Sequence, residues 1–151
     1  MSIETNPHIP LSVEAVNSLI EEHFPGIHAG GRRIDIVSVA DRAARCRLRP
    51  SERAIRPGGT ISGPAIFTLA DFTIYIALIA TMGSPAIPAV TSNLNINFLR
   101  RPEPVDLIAD ARVIRLGRRL AYCEVGLVSQ GGTELVAHAT ASYSIPATTP
   151  R

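Results

Sequence analysis

A chain of 151 residues, 46% apolar and 19% charged, has the length for one domain with a substantial core and a composition that excludes a disordered protein. The formal net charge of +2 makes no case for a nucleic-acid partner. The basic residues are arginines, and several cluster: Arg100 with Arg101, then Arg115, Arg118 and Arg119. Such clusters suit either a solvated face or a phosphate-bearing small molecule.

The first ten residues are polar and proline-bearing and read as loose, with a single domain over 11–146 and a frayed tail over 147–151. The N-terminus has no basic start followed by an apolar run, so no signal peptide is expected. "LSVEAVNSLIEEHF" reads as a short helix capped by Ser12, with Val13, Val16, Leu19 and Ile20 as its apolar stripe. "PGIHAGG" breaks the chain. "RRIDIVSVA" alternates, with Ile34, Ile36 and Ser38 on one side. "ARCRLRP" alternates more clearly, Arg45, Arg47 and Arg49 against Cys46 and Leu48. "RPGGTISG" reads as a loop.

A long apolar helix follows, from Gly63 or Pro64 to Met82, with Gly83 and Pro85 ending it. A helix hydrophobic all round is expected to be buried all round. Four extended segments come next. In "AVTSNLNINFL", Leu94, Ile96 and Phe98 share one face and Asn93, Asn95 and Asn97 the other. "DLIADARVIRLG" and "RLAYCEVGLVSQ" are strands, and Gly131 with Gly132 marks a hairpin into "TELVAHATASYSI". Two strands, a buried helix and four strands argue for an α+β fold with the sheet wrapped on the helix. One sheet covers only part of such a helix, so at least a dimer is expected.

Cys46 and Cys123 show no metal spacing or disulfide framework and read as buried thiols in a reducing, cytoplasmic setting. The segment from Ala65 to Met82 is apolar enough to raise a membrane span. Asp71 at its centre, with Thr68 and Thr73 beside it, argues against one. Asp71 is the only charged residue between Arg56 and Arg100. The start of its helix, at Ser62 and Gly63, offers free backbone N–H groups suited to a developing oxyanion. Pro64 has none to give. By helical rise Asp71 stands roughly 12 Å further along. One chain therefore cannot bring its own Gly63 N–H and Asp71 to the same atom, whereas two chains related by symmetry can. The other reading of Asp71 is structural, hydrogen-bonded to strand backbone or to Thr68 and Thr91. His28 reads as a loop histidine, His138 as a surface or satisfied one, and Ser62 lacks the His–Asp partners of a triad.

At "GGTISGPAIFTLAD" and "AVTSNLNINFLRRP" the chain resembles the hotdog-fold acyl-CoA thioesterases, most closely the phenylacetate-pathway (PaaI-like) subfamily. The resemblance runs from about Ile34 to Ile145. Gly59, Gly63, Leu69, Asp71, Val90, Thr91, Asn95, Leu99, Pro102, Gly117 and Arg118 fall in register with the family pattern. The family Asn falls on Arg56, its His on Ser62 and its second Gly on Pro64. The resemblance implies an acyl-CoA substrate, no separate cofactor or metal, and a homodimer or dimer of dimers with the site across the interface. It implies Asp71 as general base or nucleophile, the Gly63 N–H as carbonyl donor, Thr91 as helper, and Ser62 in the place of the family His. Arg56, Arg101, Arg118 and Arg119 become candidates for coenzyme A phosphates, and Phe67, Phe72 and Tyr75, with Ile76, for the acyl pocket. A non-catalytic acyl-CoA or fatty-acid binder is the alternative on this fold. Hydratase chemistry would need a His paired with the acid, and neither His28 nor His138 is in register.

Overall fold

The computed structural model describes residues 9–28, 33–50, 55–56 and 60–147, with backbone alone at 55, 56 and 60. The expectations for the first eight residues and for 148–151 lie outside the described residues. Ser12 caps α1 (Val13–His23), its hydroxyl accepting from the Ala15 N–H at 3.1 Å, and Val16 and Ile20 are buried. Two strands follow, β1 (Ile34–Ala40) and β2 (Ala43–Leu48). The long helix is α2 (Gly63–Met82), and after a 3₁₀ turn at Ser84–Ala86 come β5 (Val90–Phe98), β6 (Leu107–Leu116), β7 (Leu120–Ser129) and β8 (Ala137–Ser144). The last strand starts later than the hairpin glycines suggest, because residues 133–136 run outside the ladder.

The segment read as the loop "RPGGTISG" instead carries a small antiparallel ladder, β3 (Ile55–Arg56) against β4 (Thr60–Ile61). The six longer strands form one antiparallel sheet in the order β1-β2-β6-β7-β8-β5. Helix α2 packs on its concave side, chiefly against β2 and β6. Many of the buried strand residues are small, Ala44, Cys46, Ala109, Ala111, Cys123 and Ala139 among them, set between larger ones such as Leu107, Val125 and Leu127. Small side chains let the helix backbone approach closely, and Ile66, Leu69, Ile74, Leu78 and Ile79 of α2 fill the gap. This is the hotdog fold. Among the described residues helix α2 alone has the length and apolarity to cross a membrane, and here it is the mostly buried core helix.

Two buried threonines show how so apolar a helix tolerates hydroxyls. Thr73 and Thr81 donate to the carbonyls of Leu69 and Ala77, each at 2.7 Å. The Thr81 hydroxyl also accepts from the Arg42 N–H at 2.9 Å. That bond ties the β1–β2 turn, where Arg42 sits at φ 59°, to the end of α2.

Two expectations, one from strict alternation in β1 and one from the uniform hydrophobicity of α2, are corrected, and β5 carries an irregularity of its own. Strand β1 has a bulge between Ile36 and Ser38, so Ser38 leaves the face of Ile34 and Ile36 and Val39 takes its place against the core. Strand β5 has a bulge between Thr91 and Asn93, with consequences for the site described below. Helix α2 is not buried all round: Pro64, Phe67 and Thr68 are exposed, and Asp71, Phe72 and Tyr75 are half-buried. These residues recur every three or four positions and make one uncovered stripe.

Candidate active site

Helix α2 begins with its cap. Ser62 is extended (φ −68°, ψ 150°), and its hydroxyl accepts from the Ala65 N–H at 3.3 Å. Pro64, at the second helical position, has no N–H. That leaves Gly63 as the first-turn donor without an intrahelical partner. Ser62 thus serves the helix itself. The ring of Phe98 lies 3.6 Å from where a Cβ on Gly63 would stand, which places the helix start beside the end of β5.

Asp71 lies at the other end of that strand. The Thr91 hydroxyl donates to its Oδ1 at 2.7 Å. The Tyr143 hydroxyl contacts the same Oδ1 and also reaches the Asp71 main-chain oxygen at 2.9 Å. Thr91 and Tyr143 are opposite one another on β5 and β8. Tyr143 is 2% exposed. Burial, and then the carboxylate beside it, push its phenol well above the ordinary tyrosine value, so it remains a proton donor throughout the working pH range. The structural reading of Asp71 was half met: Thr91 is a partner, whereas Thr68 donates to the Pro64 carbonyl at 2.9 Å instead.

The bulge in β5 is what brings Thr91 inward. From Asn93 onward the even-numbered residues Leu94 and Ile96 pack on the core. Strict alternation would put Thr91 with the exposed asparagines. The extra residue, Ser92, is tied by its hydroxyl to the Ser142 carbonyl at 3.0 Å. It reverses the phase, so Thr91 faces α2 together with Tyr143.

Beside the carboxylate is a cavity of about 620 Å³, lined by Phe24, Asp71, Phe72, Tyr75, Pro88 and Thr91 among others, with Tyr143 also on its wall. Tyr75 is anchored through its hydroxyl to the Ile87 carbonyl at 2.6 Å, and burial raises its pKa. Its ring meets Phe24 edge-on at 6.3 Å and stacks on Tyr143 at 6.4 Å. Sequence reasoning therefore named Phe72 and Tyr75 but missed Phe24 and Tyr143. The signal for Tyr143 was present: it ends an inward row of small residues, Ala137, Ala139 and Ala141, as a single large side chain with a polar tip. Phe67 is exposed and does not line this cavity.

The arginines divide. Arg118 and Arg119 lie in the β6–β7 turn, and the Arg119 carbonyl accepts from the Ile145 N–H at 2.9 Å, so they share the Asp71 end of the sheet. Arg100 and Arg101 follow β5 at the opposite end, where Arg100 pairs with Glu134 at 2.5 Å. Strand rise separates the two ends by roughly 20 Å. The backbone of Arg56 pairs with Thr60 in the short ladder, and its side chain lies outside the described residues. His138 meets Glu124 at 3.3 Å and is a satisfied histidine.

The chain matches the family model described as the thioesterase superfamily over residues 58–136. It is 27% identical to human acyl-coenzyme A thioesterase 13 over 70% of this chain and 74% of that one. It is 34% identical to a Pseudomonas aeruginosa protein assigned as an esterase, over 71% and 78% of the two chains. Among solved structures, a Silicibacter protein assigned as a thioesterase superposes with a TM-score of 0.81 at 36% identity, covering 95% and 97%. The phenylacetic acid degradation protein PaaI of Thermus thermophilus, in a mutant form, gives a TM-score of 0.65 at 25% identity, covering 75% and 93%.

Proposed function

Since the chain belongs to the thioesterase superfamily as a PaaI-like hotdog thioester hydrolase, we propose that it cleaves an acyl-CoA thioester to the free acid and coenzyme A, with Asp71 as general base or nucleophile. The observation that carries this is the placement of Asp71: the lone charge of the core helix, half-buried, hydrogen-bonded on one oxygen, on the wall of an aromatic-lined cavity large enough for an acyl group. Neutral water is a poor nucleophile toward a thioester. A carboxylate within reach either removes its proton as the O–C bond forms or attacks the carbonyl carbon itself. The thiolate of coenzyme A then leaves and takes up the proton that water gives up; on the second route the acyl group stays on Asp71 as an anhydride until water hydrolyses it to the free acid.

The carbonyl oxygen gathers negative charge in that step and needs a donor. In this reading the donor is the Gly63 N–H of a second copy of the chain, since helical rise keeps a chain's own Gly63 about 12 Å away. The uncovered stripe of α2 from Pro64 to Tyr75, which holds Asp71, supports a homodimer that closes over it. With two copies, Arg118 and Arg119 of one chain and Arg101 and Arg56 of the other are the candidate arginines for coenzyme A phosphates. Phe72 and Tyr75 bound the acyl group, and cytoplasmic acyl-CoA would be the supply.

The test is thiol release from a panel of acyl-CoAs of short, medium and aromatic acyl groups, run beside Asp71→Asn. The expected result is turnover by the wild type and a loss of about a hundredfold or more in the folded variant. Wild-type rates in Asp71→Asn would remove Asp71 from the chemistry. Tight acyl-CoA binding without turnover would make the protein a binder.

A further inference from the structure

We infer that Tyr143 is a positioning residue that, together with Thr91, clamps Oδ1 of Asp71 and leaves Oδ2 as the oxygen that meets the substrate. This rests on the reading of Asp71 as the catalytic carboxylate and extends it to single atoms. A carboxylate has two chemically equivalent oxygens until its surroundings distinguish them. Here both hydroxyls that reach the Asp71 side chain reach Oδ1. Among the described residues Oδ2 accepts no hydrogen bond, and no ion pair involves Asp71. An oxygen that already accepts two hydrogen bonds is a weaker base and a weaker nucleophile than its unencumbered twin. Oδ2 is therefore the atom that takes the proton of the attacking water and later returns it to the departing thiolate. On the alternative route it is the atom that bonds to the carbonyl carbon.

The clamp is rigid for reasons separate from Asp71. Thr91 and Tyr143 are cross-strand partners, so the sheet ladder sets the spacing of their hydroxyls. The Tyr143 ring is buried and stacked on Tyr75, which is itself fixed to the Ile87 carbonyl. Tyr143 cannot swing aside without unstacking that pair. Its β-strand neighbours are Thr91 on one side and Ala121 on the other; the Thr91 hydroxyl interacts with the phenol and itself donates to Oδ1, so both hydroxyls converge on that one oxygen. The hydroxyl thus does more than satisfy its own burial, which the Asp71 main-chain oxygen at 2.9 Å would also do. Its contact with Oδ1 fixes the rotation of the carboxylate about the Cβ–Cγ bond.

Tyr143→Phe removes the hydroxyl and keeps the ring. Two readouts are taken on the folded variant: steady-state kinetics with the best acyl-CoA of the panel, and the isotope-edited infrared stretches of the Asp71 carboxylate, assigned with Asp71→Asn. The expected result is a fall in kcat of about tenfold or more with KM within about twofold, as expected for loss of a hydrogen bond to a charged group. The splitting between the antisymmetric and symmetric stretches should narrow, because the two oxygens become more alike when a donor to one of them is gone. An unchanged kcat or an unchanged splitting would overturn the proposal, leaving Tyr143 with packing alone. Replacing Tyr143 by 3,5-difluorotyrosine, a stronger donor of nearly the same shape, should widen the splitting; no change would count equally against it. The infrared measurement needs no turnover. A failure of the thioesterase reading, with Asp71→Asn as active as wild type, is therefore distinct from a failure of the clamp.

Discussion

Thr91 and Tyr143 stand opposite each other on neighbouring strands and share one oxygen of Asp71. A helix carboxylate is thus oriented by the sheet that wraps the helix, at the end where β5 carries a bulge. The site consequently depends on a backbone irregularity as much as on side-chain identity.

Deleting Ser92 tests whether the bulge does more than set the phase of β5. Without the extra residue Thr91 directly precedes Asn93, so plain alternation keeps it opposite Tyr143 and on the inner face. The deletion also removes the Ser92 hydroxyl bond to Ser142, a loss of about 1 kcal/mol. The expected outcome is an intact fold by circular dichroism, a modestly lower Tm, and activity well above that of Thr91→Val. A loss as large as in Thr91→Val would show that the bulge, and not only the face on which Thr91 lies, positions Asp71.

Gly63→Pro tests the backbone donor directly. Proline suits the first helical position, and the extended Ser62 before it is in the conformation that a following proline requires. The substitution deletes one N–H while preserving the helix and its cap. Among the described residues the exposed Phe98 ring is what a Cβ at this position meets, at ordinary contact distance, and it can give way. Thiol release should fall by about a hundredfold or more, in the range for removal of one oxyanion donor. Gly63→Ala, which keeps the N–H and meets Phe98 at ordinary contact distance, is the companion variant. Equal losses in the two would show that space, and not the donor, matters at this position.

The two cysteines predict an alkaline limb of stability. Burial pushes both Cys46 and Cys123 up to about 12, against an ordinary thiol value of about 8.5. Between these values the unfolded chain has released protons that the folded chain still holds. The contribution of the two thiols is therefore constant below about pH 8.5 and falls as pH rises toward about 12. The raised Tyr143 phenol acts with the same sign above its ordinary value. Tm measured from pH 8 to 11 should decline less steeply in a Cys46→Ala, Cys123→Ala variant than in the wild type. Both thiols should resist iodoacetamide at pH 8 until denaturant is added; rapid alkylation of the native protein would contradict the burial.

Local chemistry made much of this protein legible from its sequence alone. Ser62, Pro64 and Gly83 bracket α2 because caps and prolines act within a few residues of themselves. The strands announce themselves by period, and a lone carboxylate in an apolar helix is conspicuous wherever it falls. What only the tertiary structure decided is which side chains meet that carboxylate. Thr91 faces it because of a one-residue slip at Ser92, and a slip leaves no periodic signature in sequence. Tyr143 reaches it across 72 positions of chain, through a pairing of β5 with β8 that alternation permits but does not select. The uncovered stripe of α2 has the same origin: uniform hydrophobicity says that a helix is to be buried, while the reach of one six-stranded sheet determines which face is left open.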